Sequence, residues 1–170
     1  MLRKIFILMA LSFFLSGCGF HLRGHEPLPM CMRVLFLQPN DPYSNFTKVL
    51  EQTFRSSGVR LVCNPAAAPV TLAILADHFG QTTTSVGSSG QVTTYLLTYS
   101  IVYQLKDSYG NPLQCPQTIT STRTYSITSN QILSDTSALD TLKDDMVRDL
   151  IFQMLNRLRA PATMQILSRI

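Results

Sequence analysis

The sequence is poor in the residues that catalysis uses. Histidine occurs only at His21, His25 and His78, and a nucleophile without a base and an orienting group in reach does not perform covalent chemistry. No Gly-x-Ser-x-Gly elbow, Cys-x-x-Cys pair or His-Glu-x-x-His helix motif occurs. His78, near the end of a strand pattern, reads as a surface or internally satisfied residue and not as a base. Asp144 and Asp145 fall on the polar side of a helix pattern, where a solvated pair of charges is the ordinary explanation. The expectation is a protein that is not an enzyme, with no metal and no cofactor. Also missing is any run of Lys and Arg interleaved with aromatics, which argues against nucleic acid as a partner. Gly87 and Gly90 flank two serines, but no Gly-Lys-Ser/Thr follows, so no phosphate loop is expected.

The one long apolar run is too short to cross a bilayer. Arg3 and Lys4 precede Ile5 to Leu15, about 16 Å of helix at ~1.5 Å per residue against a hydrocarbon core of ~30 Å. The run ends in Leu15-Ser16-Gly17-Cys18, so the order is basic, apolar, small, as in a secretory signal. The junction resembles the bacterial lipobox, which implies cleavage after residue 17 and lipidation of Cys18. Several acyl chains together anchor a protein durably, where one holds it only marginally. Gly19 follows where an Asp would resemble an inner-membrane retention signal, so the expected location is the outer membrane, lipid-anchored and facing the periplasm. Without Arg3 and Lys4 the 14 basic residues become 12 against 10 acidic ones, and the formal charge falls from +4 to +2.

The mature chain has the length of one ordinary domain. Residues 18–30, with Pro27 and Pro29, are expected to form an anchor and extended tether, residues 31–160 a single domain, and residues 161–170 a loosely held tail. Cys31, Cys63 and Cys115 remain after the anchor; in an oxidising compartment two of them can pair, or all three stay reduced.

Arg33 to Leu37 is a short apolar run bounded by Gln38-Pro39-Asn40-Asp41-Pro42, the pattern of a buried strand and a turn. Phe46, Val49, Leu50 and Phe54 then recur at helical spacing after Ser44 or Asn45 as N-cap, with Gly58 where a left-handed C-cap is needed. Val59 to Cys63 stays apolar until Asn64-Pro65 breaks it. Val70, Leu72 and Ile74 open a long strand towards Thr84, joined in a hairpin to a strand from Gln91 to Leu105. That second strand carries the clearest division: Tyr95, Leu97, Tyr99, Ile101, Tyr103 and Leu105 fall on one side, while Thr94, Thr98, Ser100 and Gln104 dominate the other. After Asp107 to Pro112, the next strand repeats the division, with Ile119, Tyr125 and Ile127 opposed by Thr118, Thr120, Thr122, Thr124 and Ser126. Ser137 is placed to cap a last helix striped by Leu139, Leu142, Met146, Leu150, Met154 and Leu158.

The predicted fold class is α+β, a two-layer α/β sandwich in the order β-α-β-β-β-α. Two helices cover the apolar face of one four-stranded mixed sheet, and the Thr/Ser face is left uncovered. In that topology Cys31, Cys63 and Cys115 share one end of the sheet, where a disulfide is sterically plausible.

Cys18-Gly19-Phe20-His21-Leu22-Arg23-Gly24 resembles the mature amino terminus of the LptE family of lipopolysaccharide-assembly lipoproteins. Further matches follow in order: Ser57-Gly58-Val59, Gly90-Gln91 leading to Tyr95, Asp107 to Gly110, Arg123 with Tyr125, and Leu155-Asn156-Arg157-Leu158. The resemblance spans about Leu15 to Ala160. It implies a plug inside the large β-barrel LptD, helping that barrel assemble and lipopolysaccharide reach the outer leaflet. A hydroxylated sheet face suits the polar interior of a wide barrel; a Thr-rich face that simply meets water is the plain alternative. Thr98, Ser100, Thr120, Thr122, Ser88 and Ser89 are the candidate barrel contacts. The resemblance also links basic residues near the central hairpin and after the last strand to lipopolysaccharide, but Ser88-Ser89 and Ser134-Asp135 stand there. Arg123 is the nearest matching cation and the candidate ligand contact, although its register gives it the alternative of a structural ion pair. A lipid or lipoprotein carrier with an internal acyl cavity is the alternative function.

Overall fold

The computed structural model describes residues 28–86, 92–128 and 135–168. Cys18, His21, His25, Ser88, Ser89 and Ser134, with the signal segment and most of the tether, lie outside the described residues.

Local chemistry explains the first helix. Ser44 accepts a hydrogen bond from Thr47 N at 3.1 Å, and Thr47 Oγ1 donates to Asp41 O at 2.8 Å, so the entry to α1 (Asn45–Ser56) is capped and tied to the turn before it. Phe46, Leu50 and Phe54 fall on its inner face and are fully buried, each contributing ~1.5–3 kcal/mol of apolar burial. It stops where Gly58 adopts φ 79°, letting Val59 N donate back to Phe54 O at 3.0 Å.

This helix connects β1 (Val34–Gln38) to β2 (Arg60–Val62), and the two strands pair in parallel. After a short 3₁₀ turn at Pro65–Ala67, the chain enters a meander of β3 (Val70–Val86), β4 (Val92–Asp107) and β5 (Gln117–Thr128). The sheet therefore has five strands in the order β2-β1-β3-β4-β5, not four. The additional strand is the apolar Val59–Cys63 stretch; with only three paired residues it is too short to announce itself by alternation.

α2 (Asp135–Arg159) crosses the apolar side of β4 and β5 and also packs on α1. Met146, Leu150, Met154 and Leu158 are buried along it as the stripe requires, and Val147, Ile151 and Leu155 widen the contact. The helix begins two residues before Ser137, whose carbonyl accepts from Thr141 Oγ1 at 2.8 Å inside the first turn.

The expected loose tail is instead a third helix, α3 (Pro161–Leu167), so the protein has three helices among its described residues and not two. Pro161 ends α2 but suits the first turn of a new helix, where its missing N–H costs nothing. Thr163 Oγ1 donates to Arg157 O at 2.8 Å and Leu167 is only 3% exposed, which docks the turn on the core. At the other end Leu28, assigned to the tether by the sequence, is already buried beside a 3₁₀ turn at Met30–Met32.

β3 changes phase midway. Leu72 pairs with Leu105 and Ile74 with Tyr103, but Leu75 is skipped and Ala76 pairs with Val102. This bulge turns Val70, Leu72 and Ile74 towards the helices below it and Asp77, Phe79 and Gln81 above it. A second irregularity follows between Thr83 and Ser85.

The three cysteines do not share one end of the sheet. Val62 pairs with Phe36, so Cys63 lies past the C-terminal end of β2, whereas Cys31 precedes the start of β1. Cys115 precedes β5, four strands from β2, or ~19 Å at ~4.8 Å per strand, beyond the ~7 Å Cα separation a disulfide tolerates. All three are free thiols.

Candidate functional site

The sheet has one covered and one uncovered face. On the covered face Leu97, Ile101 and Leu105 are fully buried, and so are Leu35, Leu72 and Ile119. Residues directly opposed across a strand pair share a face, so the uncovered side can be followed row by row: Ala76–Val102–Thr118, His78–Ser100–Thr120, Gly80–Thr98–Thr122, Thr82–Leu96–Thr124 and Ser85–Thr94–Ser126. From Val102 to Thr94 this surface runs ~27 Å along the strands and ~10 Å across them. Thr120, Thr122, Thr124 and Ser126 are exposed; Thr98 and Ser100 are half-buried between their neighbours. Thr94 and Ser126 join hydroxyls at 3.1 Å.

These five rows contain no Asp, Glu, Lys or Arg. The bulge at Leu75 places the small residues Ala76 and Gly80 there and sends Asp77 to the other side. His78, exposed beside Ser100, is the one titratable ring. The structure thus brings Thr98, Ser100, Thr120 and Thr122 onto one neutral hydroxyl surface. Towards β1 and β2 the same side carries half-buried Val34, Phe36 and Val62 together with two cations, exposed Arg60 opposite Val34 and half-buried Lys106 opposite Thr71. The sequence reading missed this second zone, because it expects a buried strand at Arg33 to Leu37 and assigns Val59 to Cys63 to no strand.

Arg123 lies on the covered side of β5, opposite Leu97. Its Nη2 is 3.4 Å from Asp149 Oδ2 and its Nη1 donates to the Thr122 carbonyl at 2.9 Å. Asp149 also accepts from the buried Ser121 Oγ at 2.7 Å. This is the ion-pair arrangement, with 43% of the arginine side chain still exposed. Further down the same edge, Gln153 Nε2 donates to Thr120 O at 3.3 Å and Arg157 Nη1 to Thr118 O at 2.9 Å.

Where α1 begins, an open cleft of about 330 Å³ is lined by Asn45, Phe79, Tyr99, Asp140, Lys143, Asp144 and Val147. Phe79 meets Tyr99 edge-on at 5.8 Å, and Lys143 Nζ lies 4.8 Å above the Phe79 ring. Burial, with the Asp77 carboxylate beside it, pushes the Tyr99 phenol far above its ordinary value. Asn45 Nδ2 donates to Asp144 Oδ1 at 2.7 Å across the mouth. Charged groups line this space and it is not closed, so it has none of the character of an acyl-chain cavity. Among the described residues no His, Cys, Asp and Glu side chains cluster as a metal site, and no helix is long and apolar enough to cross a membrane.

The lipopolysaccharide-assembly LptE family model matches residues 32–158. This chain belongs to the LptE family. It is 25% identical over 148 residues to the LPS-assembly lipoprotein LptE of Pectobacterium atrosepticum, covering 84% of this chain and 77% of the relative. The Yersinia enterocolitica LptE is 30% identical over 105 residues, 61% of this chain and 51% of that one. Among solved structures, lipoprotein B from Nitrosomonas europaea superposes with a TM-score of 0.71 at 22% identity over 85% of this chain and 93% of that one. A minor lipoprotein of Acinetobacter baumannii gives 0.64 at 21% identity, covering 77% and 93%. At these identities the structures establish the shared fold. The family match makes this LptE-family chain a lipopolysaccharide-assembly lipoprotein.

Proposed function

We propose that this LptE-family protein is anchored to the outer membrane through Cys18, sits within the LptD β-barrel, helps that barrel assemble and assists lipopolysaccharide on its way to the outer leaflet. The observation that carries the reading is the set of five Thr/Ser-rich rows, which hold no Asp, Glu, Lys or Arg and have no helix over them among the described residues. Barrel interiors are polar and wet, and a neutral hydroxyl surface meets them through direct and water-mediated hydrogen bonds without desolvating a charge. Thr98, Ser100, Thr120 and Thr122 are the contacts; Ser88 and Ser89 extend the same assignment to the hairpin outside the described residues. Arg123 is the candidate contact for an anionic ligand, since its side chain stays partly exposed beside the Asp149 ion pair.

Photo-crosslinking in living cells from the positions of Thr98, Thr120 and Thr122 tests this. Capture of barrel peptides is the expected result. Recovery of the protein from detergent-solubilised membranes as a lone monomer, with no barrel attached, would sink it.

A further inference from the structure

Among the described residues the free edges of the sheet are unequally protected: β3 keeps an unbroken stretch, Ala76 to Thr83, only between two irregularities, and β5 alone is unbroken over its whole length. β2 presents only three residues, and β3 beyond its pairing with β1 is interrupted at Leu75 and again between Thr83 and Ser85. Short edges and bulges are two of the ways in which proteins prevent strand addition. β5 is different: it pairs with β4 without a break from Gln117 to Thr128.

Its outward groups can be identified. Leu113 N donates to Leu105 O at 2.9 Å, so odd-numbered residues of β4 point their backbone groups towards the β5 side. Odd β4 residues pair with odd β5 residues, so the even-numbered residues of β5 point theirs away from the sheet. Three of those outward carbonyls are occupied by the chain itself, Thr118 by Arg157, Thr120 by Gln153 and Thr122 by Arg123. The series stops there: among the described residues no side chain reaches the outward backbone groups of Thr124 or Ser126, which are exposed.

We propose that residues 124–128 of β5 receive an extended segment of the barrel partner by strand addition, in which main-chain hydrogen bonds hold a short added strand against a sheet edge. The identity of the occupant rests on the barrel reading; the edge does not. The added strand would meet Thr124 and Ser126 on its hydroxyl side, where small or hydroxyl residues fit. On its other side it would meet Arg123, which favours a carboxylate.

Proline separates backbone from side chain. At Thr124 and Ser126 the N–H points outward, so proline removes no bond within the sheet and is tolerated on an edge strand. The full-length lipoprotein is purified from membranes through a tag and the attached barrel is quantified. Thr124→Pro with Ser126→Pro should lower barrel capture about tenfold or more, while Thr124→Val with Ser126→Val, which loses the same hydroxyls but keeps both outward N–H groups, should lose at least about threefold less. Full capture by the proline variant, or equal loss by both variants, overturns the proposal. So does loss in the proline variant of a cross-linked pair of this chain, which would make a second copy the occupant. If the wild-type chain captures no barrel at all, the barrel reading itself has failed. Should the proline variant melt well below the wild type, hydrogen exchange on the wild type decides. The Thr124 and Ser126 amides should slow at least about tenfold in the complex relative to the isolated chain, and unchanged exchange overturns the proposal.

Discussion

Gly58 and Asp107 show how single residues set the turns of this molecule. With φ at 79°, Gly58 takes a conformation that costs other residues ~1–2 kcal/mol. Gly58→Ala should therefore lower the melting temperature by ~2–6 °C in a domain of this size, measured by circular dichroism. The space around it is open, so the loss would be conformational and not steric. Asp107 accepts hydrogen bonds from Tyr109 N at 2.9 Å, Asn111 N at 2.8 Å and Asn111 Nδ2 at 2.9 Å. The Asn111 side chain leads in holding its carboxyl below the ordinary value of 3.8. A carboxylate lowered in the folded state contributes stability that is present above its unfolded pKa and lost as pH falls through the folded one. The melting difference between the wild type and Asp107→Ala should be full at about pH 6 and should shrink below about pH 4; a constant difference across that range would contradict the assignment.

At the scale of elements, legibility followed the length of a pattern. β4 declares its two faces over sixteen residues, and the structure buries Leu97, Ile101, Tyr103 and Leu105 on the expected side. β2 is too short to show a period, and α3 was obscured because Pro161 reads equally as an end and as a beginning. β3 misled in another way. Its opening alternation, extended in phase, would carry Ala76, His78 and Gly80 inward, but Leu75 reverses the order. Nothing in a single sequence marks the skipped residue, since Leu75 is itself apolar. Deleting Leu75 leaves Ile74 and Ala76 adjacent with their present partners, Tyr103 and Val102. The variant should fold with the same pairing and a lower local twist, visible as retained Ile74–Tyr103 and Ala76–Val102 cross-strand contacts by NMR. The role of α3 is equally open to measurement: removing residues 161–170 uncovers the surface that Leu167 shields and should destabilise the domain by ~2–3 kcal/mol in urea unfolding.

For the whole molecule, the two-layer plan was readable because one apolar face needs one cover. The candidate surface followed from it, as the side that the helices leave bare. The cysteines did not follow, since counting four strands leaves Cys63 on the approach to the strand at Val70 and not past the end of β2. With five strands the thiols are separated along and across the sheet. Titration of denatured, unreduced protein should count Cys31, Cys63 and Cys115 as three free thiols; a missing pair would contradict this topology. The edge of β5 was invisible for a similar reason, because Arg123, Gln153 and Arg157 reach it from positions that alternation assigns only to a face or a helix.

The absence of ionic groups from the five cross-strand rows carries a kinetic corollary. Long-range attraction speeds encounter between oppositely charged partners and fades as salt screens it, but a neutral surface offers nothing to steer by. Its union with a larger neighbour would be governed by the order of biogenesis, the one wrapping while the other is still taking shape, and yields should stay level as sodium chloride rises from about 0.05 to 0.5 M.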